Sequence, residues 1–337
     1  MRRALMLMKQ LHEAQKFILK DDVNSKRLAL ILLDNFIEVQ LFAQVEQCFW
    51  WGNRLRYSYR RCGEEYEKFR YSKKMQEKAL KYHDALLDVA ASEGYIEKED
   101  LHLIKFAHKK RNASYHSFEE EETLTKVGIY LLYVMICKYQ KRWGNAGDML
   151  IYSSEDVLDE ELAFFGVKYG NFSFCWEHYW DGFYYKFFRV DSLERLNVPQ
   201  ILSNYVMNIL CETEKSIKFI KKHTREEYDF NKLLYEYNFH KKREALIIES
   251  ELPPEELTKI IQDVSNEYQK SFRKKSTEYI KGLYRRAKNL SNSSTLVAIQ
   301  KYDLLIKDAD YIHSTFCGIA SDIENEIQSQ IDIVRGK

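Results

Sequence analysis

The sequence predicts an all-α protein, on three observations. Three prolines and twelve glycines in 337 residues leave few helix breakers. Leu, Lys, Glu, Ile, Ala and Gln dominate the long windows between them. Residues 24–51, NSKRLALILLDNFIEVQLFAQVEQCFWW, run without a single Pro or Gly. The length suits two domains divided near the middle. A hydrophobic share of 45% is ordinary, and the aromatic share of 14%, with 24 tyrosines, is high, so the core is expected to be large.

The first predicted helix spans 24–51, with Asn24 or Ser25 as its cap. Its apolar residues Leu28, Ile31, Leu32, Phe36, Val39 and Phe42 wrap more than one face, which suits the central helix of a bundle. Asp34 and Glu38 sit on it one turn apart. A second helix is expected from about Glu64 to Ser92, with Phe69, Leu80, Leu86, Leu87 and Val89 among its apolar positions. Gly94 closes it, and Glu99–Lys109 opens a third. After the acidic run Glu119–Glu122, whose charge suits the positive end of a helix dipole, a fourth runs from Leu124 to Trp143. Gly144 and Gly147 end it.

The texture then changes. AFFGVKYGNFSFCWEHYWDGFYYKFFRV packs aromatics around glycines and reads either as a short β-hairpin or as an irregular aromatic layer. From Pro199 the chain is helical again, with long helices on either side of Pro253-Pro254 and a last one after NLSNSST. The expected organisation is a helical bundle over 1–145, an aromatic-rich connecting segment over 146–195 and a C-terminal helical region over 196–337.

With 52 basic and 51 acidic residues, the net charge of +1 says nothing about a nucleic-acid partner; local patches decide that. The six cysteines, Cys48, Cys62, Cys137, Cys175, Cys211 and Cys317, lie far apart and read as free thiols of a reducing compartment. The start, MRRALMLMKQLHE, has too short an apolar region for a secretory signal. The longest apolar run, VGIYLLYVMIC, falls short of the ~20 residues of a membrane span. A cytoplasmic protein with no membrane association is expected.

One stretch carries chemistry: HKKRNASYHSFEEEE, residues 108–122. Arg111, the polar Asn112 and His116 form a pattern of Arg, polar residue, three variable residues and His. RNA is cut without a metal when its 2′-hydroxyl attacks the adjacent phosphorus, a step that needs a base, an acid and positive charge on the phosphorane oxygens. His116 can shuttle protons near neutral pH, and Arg111 supplies a planar cation that never deprotonates. Asn112 can bond a ribose or phosphate, or hold the histidine. Asp34 or Glu38 can reach Arg111 across the bundle, because acids on an apolar face need a cationic partner when buried. The plainer alternatives are that these acids end at the bundle rim and that Arg111 and His116 form a helix-end salt bridge with Glu119–Glu122. Lys109 and Lys110 either guide phosphate or are simply solvated.

The motif, set after a long first helix bearing LLDNFIE and before an apolar last helix, resembles the HEPN superfamily of RNA-associated helical bundles over about residues 20–145. The later chain has no such likeness. The resemblance implies a metal-independent endoribonuclease that leaves a 2′,3′-cyclic phosphate, acting as a toxin or antiphage defence effector. Arg111, Asn112 and His116 would be catalytic, with Asp34 or Glu38 in support. It also implies an antitoxin or defence-system partner. In one toxin group a Tyr two positions after the His is modified by a nucleotidyltransferase antitoxin; here that position is Phe118, although Tyr115 stands nearby. Family nucleases join two motifs across a two-fold axis, and this chain carries one, so a homodimer is expected. The alternative is a non-catalytic HEPN-type module that binds RNA or protein.

Two further stretches are candidates for RNA contact. RLRYSYRRC interleaves Arg54, Arg56, Arg60 and Arg61 with Tyr57 and Tyr59, suited to phosphate contact and base stacking. KSFRKKSTEYIKGLYRRAK places Lys274, Lys281, Arg285 and Lys288 near helical spacing. The first reads more simply as a surface loop of mixed charge, and the second reads equally as a solvated face. WEHYWD and KDADYIH hold metal-capable groups without ligand spacing, so no metal and no cofactor is expected. HExxH, Walker A, GxGxxG and GxSxG are absent, which removes the enzymes built on them.

Overall fold

Every regular element among the described residues is helical, and the protein is all-α. The computed structural model describes residues 2–58, 71–116, 122–143, 164–165, 176–224, 230–249, 253–272 and 277–335. The chain packs as two units, Met1–Asn197 and Val198–Lys337.

The first unit is built round α2 (Val23–Ser58). A preceding helix that the sequence reading did not include, α1 (Arg2–Leu19), packs along it and buries Leu7, Met8, Leu11 and Ala14. α2 begins earlier than expected: its cap is Asp22, whose Oδ1 accepts the Ser25 amide at 2.8 Å, in place of Asn24 or Ser25. Its buried line is Ala29, Leu30, Leu33, Phe36, Ile37, Leu41, Val45 and Phe49, while Leu28 is exposed. By length and composition α2 could cross a membrane, but in this fold its apolar surface is taken up by neighbouring helices on several sides.

The single helix expected to end at Ser92 is two: α3 (Lys73–Lys81), capped by Ser72, and α4 (His83–Ser92). Its expected start, Glu64 to Phe69, lies outside the described residues. Tyr82, extended at φ −121° and ψ 125°, breaks the run. Leu80 before the break is exposed, whereas Leu86, Leu87, Val89 and Ala90 after it are buried, α4 packing on α2 and on α5 (Lys98–His116). α4 closes as expected at Gly94, whose φ of +76° favours glycine. The Gly94 amide donates to Ala91 O and the Tyr95 amide to Ala90 O, satisfying the last carbonyls.

α5 does not stop at Lys109. It continues through the motif to His116, so Arg111 and Asn112 sit on a helix and not in a connection. α6 (Glu122–Trp143) packs on both α2 and α5 and buries Val127, Leu131, Leu132, Ile136 and Trp143. At Gly128 the helices approach so closely that a Cβ would stand 3.0 Å from Leu30 Cδ1. Two polar clamps lock the ends. Lys26, buried near the start of α2, bonds Asp21 at 2.7 Å and Glu122 at 3.0 Å. Near the other end of α6, the Tyr139 hydroxyl donates to the buried Asp100 at 2.6 Å and accepts from the Glu97 amide.

The aromatic segment is not a hairpin where it is described. α7 (Trp176–Phe183) runs into a π-helical turn, Tyr184–Phe188, and then α8 (Asp191–Glu194). Phe183, Phe187, Phe188 and Trp180 are buried with Phe165. They pack against His12 of α1 and Tyr133 of α6, with ring centroids of 5.1 Å for His12–Phe187 and 5.0 Å for Tyr133–Phe188. The layer is core.

In the second unit, α9 (Val198–His223) pairs with the long α13 (Thr295–Val334), and α12 (Thr277–Leu290) packs on both. α10 (Phe230–Glu249) pairs with α11 (Pro254–Phe272) and rests on α13. Pro199 and Pro254 fall in the first turns of α9 and α11, where a missing amide hydrogen costs nothing.

The Gly128 approach generates a test. Gly128→Val overpacks the α2–α6 contact and should destabilise the fold by about 1–3 kcal/mol, read from the denaturant midpoint at an unchanged m-value.

Candidate functional site

The site begins with a buried carboxylate. Asp34 lies about a third of the way along α2 with its side chain 1% exposed. Its Oδ2 accepts Arg111 Nε at 2.9 Å and lies 2.9 Å from His108 Nδ1. His108 and Arg111 stand three residues apart on α5, hence on one face, and both converge on the same oxygen. Arg111 is held at two further points: Nη1 donates to Asn112 Oδ1 at 2.9 Å, and Nη2 stands 3.7 Å from Glu38 Oε2, an ion-pair distance too long for a hydrogen bond. Asp34 is therefore no rim residue, whereas Glu38, at 37% exposure, is. Arg111 turns inward to these two acids. Of the expected alternative partners, Glu122 pairs with Lys26 and Lys126, and 119–121 lie outside the described residues.

The guanidinium is oriented but not used up. Two of its five N–H groups are spent on Asp34 and Asn112, and the side chain remains 24% exposed. The Ser114 hydroxyl donates to Arg111 O at 3.0 Å. His116 is the last residue of α5, five positions beyond Arg111, or about 7.5 Å along the axis. The described side chains of α5 end at Ser114, so Tyr115 and His116 are placed by backbone alone.

Behind Asp34 lies a residue that the sequence reading missed. His83, first in α4 after the Tyr82 break, stacks on His108 with ring centroids 3.5 Å apart and planes 7° from parallel. Neither ring nitrogen of His83 has a hydrogen-bond partner, nor has Asp34 Oδ1. Burial, then the neighbouring His108, pushes His83 down to about 4, so it is neutral at pH 7. His108 carried a usable signal, standing one turn before Arg111. His83 carried none, because its approach depends on how α4 packs.

The other candidates scatter. Lys109 is exposed, and Lys110 lies over the Phe106 ring at 5.6 Å. Arg54 is exposed and stacks over Trp50 at 4.9 Å, beside the exposed Trp51. The side chains of Arg56, Arg60 and Lys274 lie outside the described set. Lys281, Arg285 and Lys288 are exposed on one face of α12 in the second unit, while Arg286 beside them pairs with Asp308 at 3.3 Å. Asp181 of the WEHYWD stretch pairs with Lys141 at 2.9 Å.

Asp34→Ala strips Arg111 and His108 of their shared acceptor and should destabilise the first unit by about 1–3 kcal/mol. A double-mutant cycle with Arg111→Ala should return a coupling of roughly 0.5–3 kcal/mol; additive losses would show that the pair is not an energetic unit.

The chain has no significant match among protein-family models, curated proteins or solved structures.

Proposed function

We propose that the protein is a metal-independent endoribonuclease that cuts RNA by 2′-hydroxyl transesterification, acting as a toxin or antiphage defence effector. The observation that carries this reading is the buried Asp34 carboxylate holding Arg111 beside Asn112 on the helix that ends in His116. A guanidinium fixed through Nε by Asp34 and through one Nη1 hydrogen by Asn112 keeps its three other Nη hydrogens for a phosphate. It is oriented before substrate arrives, which is how positive charge stabilises a phosphorane most effectively.

In the proposed step the 2′-oxygen attacks phosphorus, losing its proton to a base, while the P–O5′ bond breaks and the 5′-oxygen takes a proton from an acid. The products are a 2′,3′-cyclic phosphate and a 5′-hydroxyl. His116 is the proton-transfer group, Arg111 stabilises the phosphorane, and Asn112 positions it. One motif offers one such histidine for two proton transfers, so the active form is an isologous homodimer with two motifs lining one cleft.

A second reading, RNA binding without cleavage, is favoured by the exposed stripe Lys281, Arg285 and Lys288 on α12. Incubation with total cellular RNA and mapping of the ends separates the two, because only the nuclease creates new 5′-hydroxyl ends. Cleavage should survive EDTA. If activity vanished with chelator and returned with a divalent ion, the proposed step would be wrong.

Arg111→Lys should lose about 100- to 1,000-fold in rate, nearly as much as Arg111→Ala, since an ammonium cannot copy the planar fork. A Lys variant at near-native rate would reduce Arg111 to electrostatic steering. Titrating His116→Ala chains into wild type under exchange conditions should lower specific activity more steeply than dilution; a strictly linear loss would rule out the shared cleft.

A further inference from the structure

Three donors from three helices meet beneath Arg111: Asp34 of α2, His83 of α4 and His108 of α5. Their ligand atoms all lie within 4.8 Å of one another. Two of the three carry buried polar atoms with no partner, Asp34 Oδ1 and both ring nitrogens of His83. Leaving such groups unsatisfied is costly, and a cation ligated by Oδ1 and a His83 nitrogen would satisfy both residues at once. The charge balance permits it. Asp34 and Glu38 contribute two negative charges against the single guanidinium of Arg111, a local sum of −1.

We propose that Asp34, His83 and His108 form a binding site for a divalent cation of the zinc class, and that this ion competes with Arg111 for Asp34. Two imidazoles and one carboxylate are the ligand set of a borderline ion such as Zn2+; Mg2+ and Ca2+ prefer oxygen alone. A tetrahedron with bonds of about 2.1 Å has donors roughly 3.4 Å apart, so the three groups must draw together by a little over 1 Å at most. The rings must also turn out of their stack, because lone pairs lying in parallel planes do not meet at one ion. Rotation about the histidine χ2 is soft enough to allow that. The cation then stands a few ångströms from the Arg111 guanidinium, and their repulsion sets the two states against each other. On the ribonuclease reading, on which this consequence alone rests, the ion is an inhibitor that unseats Arg111.

The test uses the full chain under reducing conditions with Zn2+ as the probe, its affinity measured by competition with a chromogenic chelator. Co2+ absorption serves as a second readout of tetrahedral coordination. A rival pair of zinc-capable side chains in the second unit, His313 and Cys317 with Nδ1–Sγ of 3.4 Å, supplies the control. His83→Ala should weaken Zn2+ binding by at least ~10-fold, since losing a ligand costs no less than losing one of its supports. Arg111→Ala should strengthen it about 10-fold, because a nearby positive charge is removed. His313→Ala should leave it unchanged. Should His83→Ala fail to fold, His83→Gln and His108→Gln, which keep bulk and polarity, carry the same expectation. No stoichiometric Zn2+ binding by the wild type, or binding that His313→Ala abolishes and His83→Ala spares, would overturn the site. Binding unaffected by Arg111→Ala would overturn the competition. These readouts need no RNA, so their failure is distinct from failure of the nuclease; inhibition of cleavage by Zn2+, lost in His83→Gln, is the arm that joins the two.

Discussion

A carboxylate cannot be buried within an apolar helix without a partner, and the first unit is arranged around meeting that requirement at Asp34. Removing an ionised acid from water costs several kcal/mol, roughly, unless a cation and hydrogen-bond donors replace the lost solvent. Both come from α5, where Arg111 and His108, one turn apart, reach the same oxygen. Sliding α5 by one residue along α2 would rotate both side chains by about 100° and strand the charge. The apolar contacts bring the helices together without choosing a register so sharply. The polar contact does choose, and it therefore fixes where the motif sits.

The same logic recurs at the ends of the bundle. Lys26 is as deeply buried as many core residues and is held between Asp21 and Glu122, tying the start of α2 to the start of α6. Asp100 is buried and satisfied by Tyr139 and Lys138, tying α5 to α6. Between these anchors the packing is close, with Gly128 allowing α6 to press on Leu30 and the rings of Phe165, Trp180, Phe183, Phe187 and Phe188 packing against α1 and α6. Arg111 thus rests on a rigid support, the condition under which a cation can be oriented before a ligand arrives.

Asp34 has one satisfied and one unsatisfied oxygen. That asymmetry gives the site two possible uses of one acid. Through Oδ2 it orients a guanidinium, and the unpartnered Oδ1, with His83 and His108 nearby, is what the proposed cation would take up. The two uses oppose each other electrostatically, so a single buried residue is where a catalytic arrangement and its control would meet.

Much of this was written in the sequence itself. The scarcity of proline and glycine determined the helical class, and the stretch from 24 to 51, uninterrupted by either and apolar on more than one face, determined a helix buried on several sides. Gly94 marked a helix end because only glycine adopts its backbone conformation easily. Asp34 on an apolar face demanded a cation, and Arg111 was the one the motif offered. What local pattern did not contain was anything decided by distant packing. The break at Tyr82 has no proline or glycine to announce it. The aromatic segment follows neither a two-residue nor a 3.6-residue period cleanly, and its helical turn is stabilised by α1 and α6. Only the tertiary structure brings His83 onto His108 and under Asp34, across separations of 25 and 49 residues along the chain. Side-chain chemistry is a property of single residues and can be read in order, whereas a cluster drawn from three helices exists only once their packing sets the distances.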